Sequence, residues 1–153
     1  GLRAPVLLFR KEQKMYQIKR SEKIRDTLEL CAEDGKPAVT LEFVVDIDAI
    51  AGELRRNLTD ITTAEQALKK AASDKDYAAA YEQYGRAVRG VFAICFGREN
   101  AERICEFFEG NYVEMSVAIV PYIYDVILPR VNECIARRRE QLKGIYRRGK
   151  KLR

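Results

Sequence analysis

The chain predicts an α+β fold, mainly α: a small N-terminal β-hairpin of two or three strands, then a bundle of about four helices whose last member is long and bent by prolines. Three observations predict it. Apolar and polar residues alternate on both sides of Asp34-Gly35, the period of half-buried strands joined by a turn. From Asp46 onward apolar residues recur every three or four positions, the period of a helix face. Gly97 and Gly110 stand as two helix stops close together, and Asn111, three residues before Glu114, has the spacing of a capping box opening the next helix.

Leu28 and Leu30 alternate with Glu29, and Val39, Leu41 and Phe43 alternate with Thr40 and Glu42, which predicts strands over 27–32 and 38–45. Tyr16 and Ile18 alternate with Gln17 and Lys19, a third strand over 15–20. So few short strands bury little alone. They must lie on the helices or pair with strands of another copy.

Asp46 suits an N-cap, and Ile47, Ile50, Leu54, Leu58, Ile61 and Leu68 line one face of a helix running to about Ala72. Thr62 with Glu65 offers a second capping box and so a break near residue 60. Ser73 to Asp76 is a turn carrying its own caps. Tyr77, Tyr81, Tyr84, Val88, Val91 and Cys95 then form the next stripe, ending at Gly97. A row of tyrosines can be a stacking platform for nucleic acid, but it is better read as a core face whose hydroxyls reach the surface.

Residues 98–109 bury Ala101, Ile104, Cys105 and Phe108 and leave Phe107 beside the stripe. Val113, Val117, Val120, Tyr124, Ile127, Val131 and Cys134 alternate steps of four and three along the last helix. Pro121 and Pro129 remove backbone donors from it and predict bends, or a fresh helix at Pro129. Beyond Ala136 the surface is cationic and the helix frays.

Composition bounds the function. At 153 residues and 47% hydrophobic the chain has one ordinary core. Its formal charge is +5, yet residues 137–153 hold nine Lys or Arg against one Glu, so the basic character belongs to the end. We divide the chain into a leader or tag-derived segment at 1–14, a single α+β domain at 15–136 and a basic helical tail at 137–153. A native start upstream of Met15 is the alternative for the first segment. Four scattered cysteines and no histidine form no zinc set and read as buried thiols in a reducing compartment. The longest uncharged apolar stretch, Met115 to Tyr124, is well short of the ~20 residues of a membrane span, so a soluble protein is expected.

Catalysis is not expected. Without histidine the usual base for a Ser or Cys nucleophile is missing. Asp46 and Asp48 flank Ile47 like a metal pair but lack further oxygen ligands, and capping explains them better. Gly85, Gly90 and Gly97 are too far apart for a phosphate loop. The strongest surface signal is the basic tail, with Arg137, Arg138, Arg139, Lys143, Arg147, Arg148, Lys150 and Lys151. It can neutralise nucleic-acid phosphates, dock on an acidic protein, or keep the chain in solution.

The order of these elements resembles the tail assembly chaperones of long-tailed phages and prophages of Gram-positive bacteria. The likeness runs over residues 15–148. It is densest from Phe96 to Met115, through Phe-Gly-Arg-Glu-Asn and Phe-Phe-Glu-Gly-Asn-Tyr, with Ile123 to Arg139 behind. It implies a non-catalytic, cofactor-free protein of the host cytoplasm that self-associates. Its partners would be the tape-measure protein, which it coats during tail morphogenesis, and the tail-tube protein that replaces it. A client surface is then expected at the hinge, at Phe107, Tyr112 and Met115, with Phe108 nearer the core. The alternatives are a small nucleic-acid-binding protein using the basic tail, and a head or tail structural adaptor that stays in the particle.

Overall fold

The computed structural model describes residues 15–21 and 23–151. The segment 1–14 therefore lies outside the described residues. Strands β1 (Ile24–Cys31) and β2 (Pro37–Val45) form an antiparallel hairpin with Leu28 opposite Leu41 and Ile24 opposite Val45. Its turn is built locally: Gly35 takes φ 81°, the Asp34 carboxylate accepts from the Lys36 N–H at 2.9 Å, and the register shifts at Leu30/Cys31. The third strand over 15–20 does not form. Those residues have no regular structure, and Met15, Tyr16 and Ile18 stand in solvent. An alternating pattern becomes a strand only where a neighbour supplies ladder bonds, and none does so here among the described residues.

Helix α1 (Ile47–Ile50) is a single turn capped by Asp46, whose carboxylate accepts from the Ala49 N–H at 3.3 Å. The break expected near residue 60 falls earlier, at residues 51–53 around Gly52, and α2 (Leu54–Lys70) runs through residue 60 unbroken. Thr62 opens no new helix because its hydroxyl donates back to the Leu58 carbonyl within α2. Ser73 caps α3 (Asp74–Phe96), accepting from the Asp76 N–H at 3.1 Å. Helix α4 (Arg98–Phe107) follows Gly97 at φ 88°, and α5 (Tyr112–Tyr122) follows Gly110 at φ 74° and the Asn111 cap. A π-helical turn (Ile123–Ile127) then joins α5 to α6 (Leu128–Lys151) without interrupting the helix.

The hairpin lies on the helices, one of the two arrangements its alternation allowed. Leu41, Phe43 and Val45 face inward, and Phe43 meets Phe96 edge-on at 4.9 Å between ring centroids. Helix α3 is the central element, packing along α2 and against α4, α5 and β2. It buries Val88, Val91, Phe92 and Cys95 almost completely. Each Val or Phe side chain among them contributes on the order of 1.5–3 kcal/mol.

The proline effect takes a specific form. Pro129 has no N–H for the Asp125 carbonyl, and its ring crowds that turn. The backbone widens one turn earlier, where the Leu128 N–H donates to the Ile123 carbonyl five residues back. No fresh helix starts at Pro129. The buried face then runs Met115, Ile119, Ile123, Ile127, Val131, in steps of four. A regular helix would let that row drift around its axis by about 40° per step, and the wider turn absorbs part of the drift.

Candidate protein-binding surfaces

The reversal between α4 and α5 is fastened to α3 by one hydroxyl. Tyr81 Oη accepts from the Tyr112 N–H and donates to the Gly110 carbonyl, both at 3.1 Å. The Tyr112 ring rests on the bare backbone of Gly85, and the Arg89 guanidinium sits 5.5 Å from its centroid. Tyr112 is thus wedged and half-buried. The tyrosine stripe divides accordingly: Tyr84 is core, Tyr81 pins the hinge, and Tyr77 is half-exposed and stacks on Tyr81.

Met115, expected among the client-contacting residues, is fully buried. The Asn111 cap starts α5 so that its first inward position is Met115, against the Cys105 thiol at 4.0 Å. It is a core residue. Phe107 and Phe108 are both half-buried and meet edge to face at 5.0 Å, so Phe108 is less covered than its place in the stripe implied.

Between the hairpin and the hinge lies a groove of about 970 Å³. Its apolar wall includes Leu28, Phe107, Phe108, Ala118 and Ile119, and Glu29, Glu33, Asp34, Glu109 and Glu114 also line it. No Lys or Arg does among the described residues. Alternation in β1 turns Leu28 and Glu29 to opposite faces, so the strand edge supplies both characters. Sequence reading missed this groove because its acids come from β1, the turn and the hinge, far apart in the chain.

The outer face of α5 is the second surface. Val113, Val117 and Tyr124 were expected in one stripe with Ile127, Val131 and Cys134, but only the last three are buried. Val117 is 72% exposed. The π turn, which holds both Tyr124 and Ile127, changes the angle per residue within the row and puts its two halves on different faces.

No protein-family model, curated protein or solved structure matches the chain.

The tail helix is the third surface. Arg137, Arg139, Lys143, Arg147, Arg148 and Lys150 are exposed along it, and the helix reaches Lys151. Arg138 differs. Its guanidinium is spent on Asp48 and on the Ser21 hydroxyl, so the tail is anchored to the body one residue past its expected start. Leu142, Ile145 and Tyr146 are about two-thirds exposed, at 65%, 66% and 68%.

Ionisable groups follow their surroundings. Hydrogen bonds from Arg138, then from the Cys134 thiol, hold the Asp48 carboxyl well below the usual carboxylate range. The Tyr122 hydroxyl, donating at 2.5 Å, lowers the Asp26 carboxyl from its ordinary value. Burial pushes the Cys95 thiol up to about 12, which leaves it protonated at neutral pH. Asp46 caps a helix and Asp48 holds an arginine, and no group of three or more metal-ligating side chains occurs among the described residues. The helix from Tyr112 to Lys150 is long and apolar enough by length and composition to cross a membrane, a reading the ten-residue stretch had not suggested. Its inner face is nonetheless part of the domain core.

Proposed function

We propose that this chain is a non-catalytic tail assembly chaperone of a long-tailed phage or prophage, acting in the host cytoplasm on the tape-measure protein. The observation that carries the reading is the outer face of α5 and of the π turn after it, where Val113 and Val117, then Tyr124, stay uncovered while the opposite side of the same continuous helix is core. A holdase needs apolar surface held open by a fold that does not itself collapse onto it, and a rigid helix provides that. Phe107, half-buried at the hinge, is a further contact, and Tyr112, wedged against Gly85, fixes the start of α5. Met115 has no part in it. The tail-tube protein, as the replacement on the client, is the second partner.

The test is co-expression with the tape-measure protein of the same phage or prophage, followed by pull-down at low and moderate salt. A client recovered in solution, retained as salt rises and released by Val117→Asp supports the reading, since apolar contacts resist screening. A client that precipitates regardless, while the chain binds duplex DNA and loses it with salt, overturns it in favour of nucleic-acid binding through the tail.

A further inference from the structure

We infer that the cationic end of α6 seats in the acid-lined groove of a second copy of this chain. The two surfaces are complementary in both respects that matter. The groove has an apolar wall and five carboxylates, Glu29, Glu33, Asp34, Glu109 and Glu114, with no cation lining it among the described residues. The tail presents Leu142 and Tyr146 with Arg139, Lys143, Arg147 and Lys150 alongside them, and Glu140, its one acid, is paired with Lys143 at 3.2 Å. Apolar contact would supply affinity, and the surrounding charges would set register and exclude wrong partners.

A tail cannot reach the groove of its own chain. Helix Tyr112–Lys150 is continuous over 39 residues, roughly 58 Å at the usual rise. The groove uses residues Glu114 to Tyr122 near one end, and the cationic ridge occupies the other. Nor do two tails suit each other, because nine cations against one acid on each would repel. The tail's partner is therefore the groove of another copy. Tail and groove are different surfaces, so copies join head to tail or exchange tails reciprocally.

No client enters this inference, so it is tested apart from the chaperone reading. Sedimentation of the full chain at about 0.05 and about 0.5 M salt should show association that weakens as salt rises. Glu29→Lys with Glu33→Lys should abolish it, as should Arg147→Glu with Lys150→Glu, each variant keeping the wild-type circular dichroism. Mixing the two variants should restore association, since the intact tail of one meets the intact groove of the other and the two reversed surfaces are again opposite in charge. Placing all four substitutions in one chain should restore association. A wild-type chain that is monomeric at low salt overturns the inference. So does association indifferent to the groove reversal, and so does loss of association only in the tail variant with nucleic acid bound to the wild type.

Discussion

Arg138 holds both carboxylate oxygens of Asp48, Nε to Oδ1 at 2.9 Å and Nη2 to Oδ2 at 2.6 Å, while the Cys134 thiol donates to Oδ1 at 3.2 Å. This fork ties α6 to α1 at the point where the basic tail leaves the body. Because the Asp48 pKa is lower in the folded chain than in the unfolded one, its contribution is complete above the ordinary carboxylate range. It is lost as pH falls through the depressed value. Asp48→Asn should therefore lower the urea midpoint at neutral pH, and the two proteins should converge in strong acid. Urea unfolding across that pH range checks it.

Gly85 and Tyr112 form a steric lock. A Cβ at residue 85 would meet the Tyr112 ring at 2.2 Å, far inside contact distance. Gly85→Ala should cost about 1–3 kcal/mol by overpacking, outweighing the ~1 kcal/mol by which Ala is the better helix former. In a Tyr112→Ala background the same substitution should stabilise. A double-mutant cycle in denaturant reads the change of sign.

Met115 and Val117 lie two residues apart on opposite sides of α5, and their substitutions should separate folding from binding. Met115→Ala opens a cavity and should cost about 2–5 kcal/mol. Val117→Asp should leave stability within about 0.5 kcal/mol and weaken client retention. Thermal melts beside pull-downs distinguish the two.

Asn100 joins the first turn of α4 to the sheet, its side-chain amide donating to the Glu42 carbonyl at 2.9 Å and the Phe96 carbonyl at 3.0 Å. Asn100→Ala should cost about 1–2 kcal/mol. It should also speed hydrogen exchange in β2 relative to α2.

What was legible in the sequence was local. Asp46, Ser73 and Asn111 cap helices because a short polar side chain reaches an N–H three residues on, whatever the rest of the chain does. Gly35, Gly97 and Gly110 each take positive φ, as their positions between patterned runs implied. The early break at Gly52 was not legible, because Ile47 to Leu68 keeps one apolar row across it. The face of the last helix was misread for a related reason: a heptad row assumes a constant turn, and the π turn beside Pro129 changes it. Arg138 looked like its cationic neighbours, and only the fold brings Asp48 to it. The groove is a property of three segments at once, which no single stretch records.

The pin made by Tyr81 concerns time as well as shape. Its hydroxyl, carried on α3, bonds Gly110 just before α5 and Tyr112 at its start, so the hinge cannot lift from α3 without breaking two hydrogen bonds and drawing the Tyr112 ring off Gly85. Because these contacts share one small region, opening there should expose all of them together. Removing that one oxygen, as in Tyr81→Phe, would leave the ring packing in place and free the Tyr112 amide, which should then exchange its hydrogen faster than in the wild type while the fold keeps its average shape.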